Sequence, residues 1–159
     1  AGADSITLGD GDDTVILGAR RELMTTTFAG GQTTASDIDR IVRIEHDEDV
    51  IVFSSAEDAY GDFTLTSDTS IVVQAVSVAT AHDFDALFAA VEGDTSINTD
   101  ASSASSLNVF VATVGSGTLA NESYIIINDN NATITSTDTI IAVGTISGGS
   151  LDAGDFSIA

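Results

Sequence analysis

Residues 1–24 read AGADSITLGDGDDTVILGARRELM, and written in steps of nine they repeat. Gly2 falls on Gly11, Asp4 on Asp13, Ile6 on Val15, Leu8 on Leu17 and Gly9 on Gly18. A worn third copy places Glu22 nine after Asp13 and Met24 nine after Val15. Within each copy the apolar residues alternate, Ile6 with Leu8 and Val15 with Leu17, which is the period of a short strand with one buried face. Gly and Asp between them supply turns, because Gly takes left-handed backbone angles without penalty and Asp hydrogen-bonds its own backbone.

Composition narrows what such a repeat can do. The chain has 159 residues, enough for one domain or a small domain plus part of another, and 43% of them are hydrophobic. No apolar run reaches the roughly 18 residues of a membrane span. No signal peptide is visible. The opening in mid-repeat suggests a piece of a longer protein. Asp and Glu number 25 against 4 Lys and Arg, for a net charge of −21. Nucleic acid is excluded as a partner, since no basic patch exists to replace phosphate counterions. Such charge repels itself in a compact state, and divalent cations relieve it. An acidic surface suited to salty water is a second source of the same bias. There is no Cys and no Pro, which excludes disulfides, thiolate metal sites and cysteine nucleophiles. Abundant Thr, Ser, Val and Ile favour strands.

Further along, residues 19–36 lose the repeat and read as a loop. Ile38 to Ile44 suggests a strand or a helical turn, His46-Asp47-Glu48-Asp49 a polar turn and Val50 to Phe53 a buried strand, together a hairpin-like connection. Strands are expected at Phe63–Thr66, Ser70–Ala79, Leu107–Thr113, Ser123–Asn128 and Thr139–Val143. Tyr124 to Ile127 and Thr139 to Ile141 read as buried on both faces. One helix is expected over about 81–92, capped by Thr80. Phe84, Leu87, Phe88 and Val91 make its buried face and Gly93 ends it.

The turns of the first stretch suit calcium, which takes about six to eight oxygens from carboxylates and carbonyls. A Gly-x-Gly-x-Asp turn offers both. The same residues can also serve only as Asx turns between strands.

The chain resembles the RTX (repeats-in-toxin) family of calcium-dependent proteins exported by bacterial type I secretion. Gly9-Asp10-Gly11-Asp12-Asp13-Thr14-Val15 matches seven consecutive positions of that family's G-G-x-G-x-D-x-U-x repeat. Gly2-Ala3-Asp4-Ser5-Ile6 matches the later part of another copy. Asp39 to Ile44 followed by Asp49 to Ser54 is similar to the segment after the repeats in such proteins. The ending Asp155-Phe156-Ser157-Ile158-Ala159 is similar to their export signals, although Ser157 and Ala159 depart from the pattern. The first Gly of each pair is Leu here, and only about two copies are present.

The resemblance implies an all-β chain: a short calcium-binding parallel β-roll, residues 1–24, leading into a β-rich capping and secretion-signal domain, residues 25–159. That second part is either a separate sandwich or a continuation of the roll. The implied Ca²⁺ ligands are Gly2, Asp4, Gly9, Asp10, Gly11, Asp13 and Glu22. Turns eighteen residues apart would share an ion, pairing Asp4 with Glu22 and Asp13 with position 31 or with residues before Ala1. The implied function is the C-terminal module of a secreted surface or structural protein of the S-layer, sheath, filament or adhesin kind. Calcium would drive folding and assembly at the bacterial cell surface, with other copies or surface components as partners and no membrane insertion. The alternative is the secretion and folding module of an exported protease or lipase. No catalytic role is expected in the chain itself. His-Glu-x-x-His and Gly-x-Ser-x-Gly are both absent, and His46 and His82 stand alone.

Overall fold

A computed structural model describes residues 4–17, 38–55, 64–135 and 138–159. Among them are nine strands and one α-helix. The alternating first stretch forms β1 (Ser5–Ile6) and β2 (Thr14–Leu17). After them come β3 (Arg40–Glu45), β4 (Val50–Phe53) and β5 (Ser70–Val78). The helix α1 (Phe84–Glu92) precedes β6 (Ser106–Val114), β7 (Ser123–Ile127), β8 (Thr139–Ser147) and β9 (Phe156–Ile158).

The strands form two sheets. The larger runs β1-β3-β8-β7-β6-β5 and the smaller β2-β4-β9. In the small sheet every pairing is parallel. In the large sheet β1, β3 and β8 are parallel, β7 runs antiparallel to both neighbours, and β5 is parallel to β6. The large sheet is therefore mixed, and the chain is not one parallel roll throughout. Three two-strand units cross from the large sheet to the small one, β1–β2, β3–β4 and β8–β9, and they stack in that order in both sheets. β3 and β4 are thus not a hairpin. The His46–Asp49 turn carries the chain from one sheet to the other, and each strand pairs with its counterpart in the next unit.

Side-chain alternation decides the layers. Val109, Val111, Ile125, Ile127, Ile141 and Val143 point one way and pack with Val15, Leu17, Ile51, Phe53 and Phe156 of the small sheet. Their neighbours Phe110, Ala112, Tyr124, Ile126, Ile140 and Ala142 point the other way, against Phe84, Leu87, Phe88 and Val91 of α1. So β6, β7 and β8 are covered on both faces, which is why their sequences are nearly continuous apolar runs. Burying each such side chain contributes roughly 1.5–3 kcal/mol. One ring pair lies within the small sheet, between β4 and β9, and one crosses from α1 to the large sheet. Phe53 stacks on Phe156 at 5.6 Å, and Phe84 meets Tyr124 edge-on at 6.0 Å. The Tyr124 hydroxyl donates to the Leu119 carbonyl at 3.2 Å. Burial, with Glu122 nearby, pushes its pKa up to about 12.

Two local expectations are corrected. Asp83, not Thr80, caps α1, its carboxylate accepting from the Ala86 amide at 2.7 Å. Thr80 instead exchanges a hydrogen bond with Ser116. Residues 64–66 form no strand; Phe63 lies outside the described residues.

The helix side of the large sheet is a close-packed interior, so a cavity there is expensive. Phe110→Ala should cost about 3–5 kcal/mol in urea denaturation. Val72→Ala, on the edge strand β5 and 40% exposed, should stay within about 0.5 kcal/mol of wild type.

Candidate cation-binding edge

Each of the six strands in the three stacked units begins directly after an aspartate: Asp4, Asp13, Asp39, Asp49, Asp138 and Asp155. The reason is local. At the end of a turn the backbone amides have lost their sheet partners, and a carboxylate one residue before the strand can accept them.

On the edge where the units cross between sheets, the same clamp recurs three times. Asp13 accepts from the Gly9 amide, Asp49 from Glu45 and Asp155 from Asp152, each at 2.7 Å. The second oxygen reaches the neighbouring unit. Asp49 accepts from the Asp13 amide at 3.0 Å, and Asp155 from the Asp47 amide at 2.9 Å. Asp49 and Asp155 are buried, at 1% and 0% exposure. In the first turn Gly11 has φ of 93°, a left-handed angle that lets the chain curl back to Asp13.

Around this buried row lies an acidic rim: Asp10 and Asp12 of the first turn, Glu45, Asp47 and Glu48 of the second and Asp152 of the third. Among the described residues two cations face it. Arg43 pairs with Asp10 at 2.7 Å and also with Glu45. His46 lies 3.0 Å from Asp155 and 3.3 Å from Asp47. The Glu45 carboxyl group, sharing a hydrogen bond, holds Glu48 above its ordinary carboxylate pKa, with Asp12 and Asp49 adding repulsion. Hydrogen bonding to Asp155 first, then the charges of Asp155, Asp47 and Asp152, hold the His46 pKa above 6.5 against partial desolvation.

Of the residues expected to hold calcium, Gly9, Asp10, Gly11 and Asp13 share the first turn. Asp4 lies on the opposite edge, where its amide donates to Asp39 at 2.8 Å. Burial, with Asp4 adding repulsion, raises the Asp39 pKa. Gly2 and Glu22 fall outside the described residues. The partners expected at a spacing of eighteen, Glu22 for Asp4 and position 31 for Asp13, lie outside the described residues. Asp4 meets Asp39 and Asp13 meets Asp49, 35 and 36 residues on, because β1 pairs directly with β3 and β2 with β4. Sequence reasoning gave Asp39 and Asp155 no site role, and it read Asp49 as part of a solvated polar turn in preference to a further cation site, whereas Asp49 is buried. The signal that finds them is an aspartate followed within two residues by an apolar strand residue.

Asp49→Ala removes the acceptor of two amides and should cost about 2–4 kcal/mol in denaturant unfolding; Asp49→Asn, which keeps one acceptor, should cost less. His46 makes stability pH-dependent. Its folded pKa is raised, so its contribution is fully present below the ordinary imidazole value of 6.5 and is lost as pH rises through the folded value. The difference in stability between wild type and His46→Gln should therefore shrink from pH 6 toward higher pH.

Compared with protein-family models, with curated proteins and with solved structures, the chain matches none.

Proposed function

We propose that this chain is a calcium-binding module of an exported bacterial surface or structural protein, of the S-layer, sheath, filament or adhesin kind. Its role is structural rather than enzymatic. Calcium taken up at the acidic turns firms the stack of aspartate-led strands outside the cell, where the ion is plentiful, and can bridge acidic faces of neighbouring copies.

The observation that carries this reading is the crowding at the crossing edge. Three turns bring together more carboxylates than Arg43 and His46 can offset, and Glu48 responds by holding its proton more tightly. A divalent cation relieves the same repulsion without a proton. The ligands proposed for it are carboxylate and carbonyl oxygens of the Gly9–Asp13 turn, where the Asp10 side chain is 95% exposed. Asp4, on the opposite edge, belongs to a separate site on this reading. Hard oxygen donors and a flexible turn are what calcium selects.

Melting curves by circular dichroism, in chelator and in millimolar calcium, test the proposal. Calcium at a hundredfold excess over Kd should add about 2.7 kcal/mol, and Asp10→Asn with Asp12→Asn should remove most of that gain. Identical curves with and without chelator would sink it.

A further inference from the structure

From the geometry of the second and third turns we infer that His46, Asp152 and Asp155 form a binding site for a divalent transition-metal ion of the zinc class, separate from the proposed calcium turns. The three side chains each offer a ligand atom, and these atoms lie within 4.8 Å of one another. The His46 Nδ1 sits 3.0 and 3.2 Å from the two oxygens of Asp155. Two ligands of one zinc ion, each at about 2.0–2.2 Å from it, sit about 3–3.5 Å apart. An ion can therefore replace the imidazole proton with little movement of either side chain, and the displaced proton goes to solvent.

The site is held in place from several directions. Asp155 is wholly buried, fixed by the amides of Asp47 and Asp152. Asp152 and Asp155 are set against each other by a reciprocal capping box around the 3-10 turn Ala153–Asp155. The Asp152 carboxylate accepts from the Gly154 amide at 2.7 Å. The imidazole lies against Gly149, where an added Cβ would run into the ring. On the far side of the ring, Nε2 faces Asp47 Oδ2 at 3.3 Å. A second carboxylate on the remote nitrogen is the arrangement that orients a ligating histidine and raises its basicity.

Ligand chemistry separates this ion from calcium. Imidazole is a nitrogen donor that zinc, cobalt, nickel and copper accept readily, whereas calcium selects oxygens alone. With three protein ligands a zinc ion keeps one position for water. Because the ligands come from two turns, the ion ties the third stacked unit to the second.

Isothermal titration of the full chain with zinc chloride in calcium-saturated buffer tests the inference. Saturating calcium fills oxygen-only sites, so failure of the calcium reading leaves this test intact. The expected result is one zinc per chain, a higher melting temperature, and cobalt(II) absorption bands in the visible when Co²⁺ is the probe. Asp152→Asn keeps a capping acceptor and should weaken zinc about tenfold or more. His46→Gln should abolish the cobalt bands, and His82→Gln, at an exposed position, should change nothing. No zinc binding, or zinc binding unaltered in both Asp152→Asn and His46→Gln, overturns the site. If His46→Gln does not fold, Asp152→Asn decides.

Discussion

A carboxylate that accepts two backbone amides, one from its own turn and one from the next, is the contact on which this architecture rests. Each such bond to an ionised group is stronger than an ordinary amide–carbonyl bond. Each also satisfies an amide at the point where the chain leaves one sheet for the other. The buried Asp49 and Asp155 are tolerated for that reason. Asp138, on the opposite edge, also accepts two amides, but both, Asp129 and Thr135, come from its own β7–β8 connection. Without these clamps the two sheets would be joined by turns whose polar groups face an apolar interior.

The clamps and the acidic rim pull in opposite directions. The inner row of aspartates fixes the turns by accepting backbone amides on its carboxyl oxygens. The outer row adds more negative charge with few amides to receive it. Arg43 bridges Asp10 to Glu45 and so ties the first turn to the second, while His46 does the same for the second and third. On the proposed reading, that residual repulsion is what a bound cation would relieve.

Much of this was legible in the sequence. The alternation at Val15–Leu17 marked a short strand with one buried face, whereas Ile6 is 40% exposed in a two-residue β1 that stops before Leu8. Continuous apolar runs marked β7 and β8 as covered on both faces. The α1 face was readable from its spacing, because Phe84, Leu87, Phe88 and Val91 fall on one side of the segment only if it is helical. The misreadings share a cause. The pairs Ser5–Arg40 and Arg40–Ala142 are parallel and distant in sequence, so local pattern carries no trace of them. A polar turn between two strands looks like a hairpin whether the strands pair or part. Thr80 and Asp83 are both good caps, and tertiary contact with Ser116 took Thr80 elsewhere. His46 looked solitary because its partner Asp155 lies 109 residues away.

The third stacked unit is made of β8 and β9, and the first two are made of β1 to β4. Between them lie β5, α1, β6 and β7, which widen the large sheet but leave the small one untouched. During synthesis the small sheet therefore gains β9, and Phe53 its stacking partner Phe156, only when the ribosome has delivered residues 156–158. Until then β3 and β4 each keep open the edge that β8 and β9 will take. Contacts of such long sequence separation also close slowly, because the loop entropy is lost before the contacts form. The emerging chain is thus held open by its own connectivity, and its first two units wait on a third made some hundred residues later.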